Sequence, residues 1–321
     1  MLRRRGLIAG LALLLLALVW LAYPWFGPGP LGKDTSFVVE DGSSLAMVST
    51  RLEQQGAISS ADGFRQRARL FGGGAPIRAG EFLLPKGASA RTILRIIQGD
   101  EVLRRFVTVP EGMPSIMVME RLKAQPYLTG DVALPPEGSV LPESYDFERG
   151  ESRQAVLARM QAAMTKTLKE MWDKRDPGIV VKTPQEALIL ASIVEKETGK
   201  PAERKLVAGL YSNRLRQGIM LQADPTIIYP ITLGKPLGRR IRQSEIQAIN
   251  DYNTYAMTGL PKGPITNPGR ASIEAVLHPA RTDALYMVAD GTGGHAFAAT
   301  LQQHNANVEK WFAIRRARGE I

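Results

Sequence analysis

Between Arg5 and Lys33 the chain carries no charged residue, and from Leu7 to Phe26 it is apolar at nearly every position. At about 1.5 Å rise per residue this stretch can cross a bilayer core of about 30 Å. Arg3, Arg4 and Arg5 precede it, and Trp20, Tyr23, Trp25 and Phe26 close it like an aromatic interface belt. The basic side stays in the cytoplasm, so the rest of the chain is expected outside it. A cleaved signal peptide shares the basic start, but its apolar run is shorter, and Tyr23-Pro24-Trp25-Phe26 lacks the small residues of a cleavage site. The expected layout is a cytoplasmic 1–6 and a single-pass transmembrane helix at 7–26, with a linker at 27–34 rich in Gly and Pro.

Composition bounds the chain beyond the anchor. Of 321 residues, 44% are hydrophobic and 22% charged, enough apolar material for a real core. The net charge of +10 includes the three arginines before the apolar run, and the remainder is spread out rather than gathered into a stripe, so no nucleic-acid partner is expected. The chain has no Cys, which excludes disulfides, thiolate nucleophiles and iron–sulfur ligation. With His278, His295 and His304 the only histidines, no metal and no cofactor is expected.

Apolar spacing and glycine stops predict a strand at Phe37–Val39, helices at Ser44–Gln55 and Ala61–Phe71, a strand at Glu81–Leu84 and a helix at Ala90–Gln98. These make a small α+β module at 35–100. The larger remainder, 101–321, reads as a mixed α+β domain. It holds a strand near Val102–Val109, a helix starting near Pro114 or Ser115 and a helix over Glu151–Arg175 with the stripe Leu157, Met160, Met164, Leu168, Met171. A hairpin from Leu285 to Ala299 and a last helix from Leu301, capped by Thr300 and Gln303, end the chain.

The most informative segment is Thr183 to Gly199. Thr183-Pro184-Gln185-Glu186 is a capping box with Pro at the first helical position, and Gly199 supplies the stop. Ala187–Val194 is apolar all round, as in a helix buried within a domain. Two carboxylates come next. At about 100° per residue, Glu195 and Glu197 are turned about 200° apart and cannot pair on one face. Glu195 projects over the small residues Ala191 and Ser192, where a groove could open, and a poorly solvated carboxyl there suits general-acid work. On chemistry alone the plainer reading is a solvated last-turn residue or a partner for Lys196.

The run Ala191-Ser192-Ile193-Val194-Glu195-Lys196-Glu197-Thr198 resembles the signature of the YceG-like endolytic murein transglycosylases, the MltG family. Further blocks resemble it in the same order: Asn213-Arg214-Leu215, Leu221 to Tyr229, Tyr252-Asn253-Thr254-Tyr255, Gly259 to Gly269, His278-Pro279-Ala280 and Tyr286 to Phe297. Val109-Pro110-Glu111-Gly112 and Leu141 to Tyr145 do so upstream. Glu143-Ser144 stands where the family usually has Asp-Thr, and Lys262 where Pro is common.

The resemblance implies a membrane-anchored lyase with a LysM-like module and a catalytic domain. It would cleave the MurNAc–GlcNAc bond in nascent peptidoglycan and leave a 1,6-anhydroMurNAc end. Glu195 would correspond to the catalytic glutamate. Gln222, Asp224, Asn253, Tyr255, Asn267 and His295 are candidate substrate-binding residues, each with a turn, core or hairpin role as its alternative. The implied partners are peptidoglycan glycan strands, the lipid bilayer through 7–26 and cell-wall synthases. A hydrolytic muramidase and a non-catalytic glycan-binding scaffold are the competing functions.

Overall fold

The structure, a computed structural model, describes residues 2–321, with side chains from Ile8 onward apart from Ala9. It divides into two compact units, one running to Arg105 and taking in Phe147–Gly150, the other formed by Phe106–Asp146 and Glu151–Ile321.

In the first unit, α1 (Leu2–Phe26) leads into β1 (Thr35–Val39), α2 (Leu45–Gln54), α3 (Ala61–Phe71), β2 (Gly80–Leu84) and α4 (Ala90–Gln98). The strands pair antiparallel, with Phe37 opposite Phe82 and Thr35 opposite Leu84. Their period-two alternation turns Phe37, Val39, Phe82 and Leu84 inward, against Val48 and Leu52 of α2, Phe64 of α3 and Ile93 and Ile97 of α4. Burying each such side chain contributes about 1.5–3 kcal/mol. Ser44, Ser60 and Ser89 cap the three helices by accepting from backbone N–H groups of the first turn.

The structure bears on four of these expectations. Among the described residues no helix is long and apolar enough to cross a membrane, and the expected span at 7–26 begins on Leu7 and Ala9, whose side chains lie outside those residues. Trp25 belongs to no interface belt. It is fully buried, its ring 5.8 Å from that of Phe64 and 6.2 Å from that of Phe71. Nor is 27–34 a free linker: Leu31 is core, Gly29 N–H donates to the Gly87 carbonyl, and Gly87 N–H donates to that of Leu31. Only glycine fits at 29, because a Cβ there would sit 2.1 Å from the Ala88 carbonyl oxygen. The unit also runs past the expected boundary at 100, since Arg105 reaches back to the buried Glu81 at 2.7 Å. That hydrogen-bonded cation holds the Glu81 carboxyl below the usual carboxylate range despite its burial.

The second unit contains β3 (Arg105–Thr108), α5 (Ser115–Lys123), β4 (Ser144–Phe147), α6 (Arg153–Trp172), α7 (Pro184–Glu197), α8 (Arg204–Arg216), α9 (Asp224–Thr232), α10 (Gln243–Ile246), α11 (Arg270–Leu277), the hairpin β5 (Tyr286–Ala289) and β6 (His295–Ala298), and α12 (Leu301–Ala317). Shared residues of β3 and β4 mark where the chain passes between units. α7 is the axis of this unit: Ala187 to Val194 are all buried, packed against Met164 of α6, Val207, Leu210 and Tyr211 of α8, and Ile273 and Val276 of α11. Thr183 accepts from Glu186 N–H as the predicted capping box requires, but the Glu186 carboxylate accepts from Lys182 N–H rather than from that of Thr183, so only half of the box forms.

Candidate active site

The buried helix α7 ends with its two glutamates in different surroundings. Glu195 has a side chain only 6% exposed, accepts from Gly269 N–H at 2.9 Å and lies 3.9 Å from Arg204 Nη2. Arg204 also donates to Glu111 at 3.3 Å. Gly269 lies close under the Glu111 side chain, which would have to shift to admit a Cβ there. The small-residue face on which Glu195 sits opens no groove. Ala191 and Ser192 are fully buried, and Ser192 Oγ accepts from Ile265 N–H at 3.1 Å.

Glu197, on the opposite face, lines a cavity of about 480 Å³ together with Tyr211, Arg214, Gln222, Asp224, Tyr255, His295 and His304. Its Oε1 is buried without a hydrogen-bond partner. Burial first, then the Asp224 charge, push its carboxyl up to about 7, opposed by a hydrogen bond from Tyr211 and by the charge of Arg214. Tyr211 itself is driven well above the usual phenol range by burial and by Glu197, so it stays a donor.

One wall of the cavity is a suture of two segments. Thr226 Oγ1 and Thr254 Oγ1 are 2.8 Å apart in the core, Ala223 N–H donates to Thr254 Oγ1, and Gln222 N–H donates to the Thr254 carbonyl. With Leu221 and Ala223 buried, the alternating Gln222 and Asp224 are exposed. Tyr255 then donates its hydroxyl to Asp224 at 2.6 Å. Gln222 sits at φ 54, a conformation costly for a residue with a Cβ, and Arg214 Nη1 holds its Oε1 at 3.2 Å. Asp224 occupies the first turn of α9 rather than an isolated turn, where a carboxylate suits the helix dipole.

The far wall comes from the hairpin. His295 donates its N–H to Glu203 Oε1 at 3.1 Å, with Nδ1 2.9 Å from Oε2. Burial works to raise the Glu203 carboxyl, but the bonds from His295 and Thr198 hold it below the usual range. A Cβ at Gly294 would lie 2.1 Å from Glu203 Oε1 and would displace the Glu203 carboxylate from its bonds to His295. His304 of α12 stacks on Tyr286 with centroids 5.3 Å apart, and its Nδ1 is buried without a partner. Burial, then Arg214, depress its pKa.

Four of the expected substrate residues, Gln222, Asp224, Tyr255 and His295, thus share one cavity, whose lining does not include Glu195. Two others are structural. Asn253 is fully buried and spends its amide on the carbonyls of Ile246 and Ala248, while its Oδ1 accepts from Tyr255 N–H. Asn267, also fully buried, donates to the Met113 carbonyl and Ser115 Oγ and accepts from Val140 N–H. It shares this clasp with Glu137, whose carboxyl burial raises to about 7 against hydrogen bonds from Ser115. Asn267→Ala should therefore cost about 2–4 kcal/mol of stability, from several unsatisfied buried groups. Urea unfolding checks this; an unchanged midpoint with weakened substrate binding would return Asn267 to the binding surface.

The family-variant residues make surface ion pairs, Glu143 with Arg270 at 2.9 Å and Lys262 with Asp251 at 3.0 Å. Glu197, Tyr211, Arg214 and His304 are site residues that the sequence does not single out. For Glu197 a signal exists in the 200° separation from Glu195, at about 100° per residue, but nothing local tells which face opens.

The fold is therefore an α+β chain of two units, the second built on a buried helix that delivers a carboxyl to a polar cavity. The YceG-like family matches residues 37–310, and the chain belongs to it. It is 27% identical to a protein of Bacillus subtilis (strain 168) named endolytic murein transglycosylase, over 89% of this chain and 88% of that one. A protein of the same name from Streptococcus pneumoniae serotype 2 is also 27% identical over 86% of this chain, which spans 58% of the pneumococcal protein. The crystal structure of a YceG-like protein from Listeria monocytogenes superposes with a TM-score of 0.54 at 25% identity, covering 85% of this chain and 98% of that one.

Proposed function

We propose that this protein is an endolytic lytic transglycosylase of peptidoglycan and that Glu197 is its acid and base. The observation that carries the reading is the Glu197 carboxyl, its buried Oε1 without a partner, lifted to about 7 inside the cavity lined by Gln222, Asp224, Tyr255 and His295. A carboxyl protonated near neutrality can donate to the glycosidic oxygen between MurNAc and GlcNAc. The C6 hydroxyl of the muramic acid then attacks its anomeric carbon, and the Glu197 carboxylate takes the hydroxyl proton. One bond breaks, one forms, and the proton lost at the first step returns at the second. The hydroxyl is already tethered beside the carbon it attacks, which gives it a large effective-molarity advantage over water. Tyr211 orients the carboxyl, and Gln222, Tyr255 and His295 face the sugar. Assignment of the acid to Glu195 is the rival within this reading.

A second reading, hydrolysis, is favoured by Asp224, a second carboxylate on the same cavity that could activate water. Mass spectrometry of the products from purified glycan separates the two. Transglycosylation leaves new ends lighter by one water and inert to borohydride; borohydride-reducible muramic acid at every new end would establish the muramidase instead. A glycan-binding scaffold without activity has no use for a buried carboxyl with one oxygen left unsatisfied, which weighs against it.

The strand–helix–helix–strand order of β1, α2, α3 and β2 supports a LysM-like module in the first unit. α1 is proposed as the single-pass anchor, with the chain after it on the outer, periplasmic side. What supports this is the apolar run behind Arg3–Arg5 and the side chains of Leu11, Leu13–Leu16, Leu18 and Val19, all more than half exposed. Glycan strands and cell-wall synthases would then meet the enzyme at the membrane surface.

A further inference from the structure

We propose that the C-terminal end of α3 and the start of α4 dock the first unit onto an anionic lipid surface. Headgroup phosphates would pair with Arg67 and Arg91 while Leu70 and Phe71 enter the acyl boundary. The inference rests on the anchor proposed for α1.

The uncovered apolar surface of α1 continues onto the unit. Phe71 packs its ring 6.0 Å from that of Phe26, yet remains 44% exposed, and Leu70 beside it is 68% exposed. Cations frame the same patch. Arg67 lies one turn before Phe71 on the same face of α3, and its Nε donates to the Leu21 carbonyl at 3.1 Å. The Arg91 guanidinium lies 5.4 Å over the Phe26 ring, with Arg95 one turn further along α4. Among the described residues Arg67, Arg91 and Arg95 have no carboxylate partner, whereas Arg51, Arg65 and Arg78 of the same unit pair with Glu40, Asp62 and Asp100. Guanidinium groups without a carboxylate partner, around exposed aromatic and aliphatic side chains, are the make-up of a surface seated at a bilayer interface. An acidic protein could meet the cations, but the patch is continuous with a helix whose side chains from Leu11 to Val19 no described segment covers, and that commits it to lipid.

The chain has no cysteine, so single-site labelling is clean. The full chain carrying Leu70→Cys with an environment-sensitive fluorophore would be reconstituted into vesicles of phosphatidylcholine alone or mixed with phosphatidylglycerol. The expected result is a blue shift in the mixed vesicles only, lost in high salt and in the Arg67→Ala/Arg91→Ala double variant. The salt titration gives the same readout with the arginines intact, should the double variant fold poorly. A label at Leu15→Cys reports on the anchor separately. If that label lies in the bilayer while the one at position 70 stays aqueous in both vesicles, the docking surface is refuted and the anchor stands. An equal blue shift in phosphatidylcholine alone refutes the pairing with phosphate charge. A Leu15 label in water refutes the anchor, and the docking with it.

Discussion

Glu197→Gln should lower glycan cleavage by at least two orders of magnitude while leaving the fold and glycan binding intact. Two orders correspond to about 2.7 kcal/mol of barrier, within the usual range for losing a general acid. The amide keeps the size of the side chain and removes a carboxyl that has to be buried, so stability should not fall. Glu195→Gln should keep cleavage within about tenfold, because Glu195 is spent on Gly269 N–H and the Arg204 guanidinium rather than on the cavity. The reverse pattern, full activity in Glu197→Gln and loss in Glu195→Gln, would move the acid to Glu195. The pH profile carries the sign. An acid that must hold its proton works below its pKa, so with Glu197 lifted to about 7 the rate should fall as pH rises through that value. The alkaline limb belongs to the Glu197 carboxyl and should disappear with it from any residual activity.

Arg214→Met should be the most destabilising of the changes considered, at about 3–5 kcal/mol. Arg214 is 8% exposed, and its fork serves the carbonyls of Leu285, Met220 and Leu221 and the Gln222 side chain. Methionine fills much of the volume and supplies no donor, leaving several buried acceptors unsatisfied. Thermal unfolding should shift by roughly 10 °C for a unit of this size. Arg214→Lys should recover only part of it, since one ammonium cannot reach the Leu285 carbonyl and the 220–222 segment together. The lysine variant, if folded, offers a second readout. The charge of Arg214 works to lower the Glu197 carboxyl, so displacing that charge should move the alkaline limb to higher pH. An unchanged limb together with an unchanged melting temperature would refute the role of Arg214 as both clasp and charge neighbour.

Local signals in the chain are enough for the elements with strong periodicity and caps. Ala61–Phe71 and Ala90–Gln98 form with the predicted ends, and α7 and α12 start at the caps written into Thr183 and Thr300. In α6, Leu157, Met160 and Met164 are buried as the apolar stripe requires. These are contacts three and four residues apart, whose physics is contained in the segment itself. The short strand Ser144–Phe147 is not legible in the sequence, because its pairing with Arg105–Thr108 joins residues far apart along the chain.

For the site, the sequence by itself determined that α7 would be buried and would bring two carboxylates out on opposite faces, since helix pitch alone sets that angle. It also placed Gln222, Asp224, Tyr255 and His295 among the polar residues worth attention. Only the tertiary structure decided which carboxylate meets the cavity. The 111–112 and 267–269 segments close over Glu195, while the Thr226–Thr254 suture and the β5–β6 hairpin leave space beside Glu197. Likewise Asn253 and Asn267 resemble ligand-binding amides in sequence, and become clasps only because their partners, up to 154 residues away, arrive within hydrogen-bond distance. Burial and charge at a carboxyl depend on neighbours that the chain supplies from distant positions, so its chemistry is settled by packing and not by the helix that carries it.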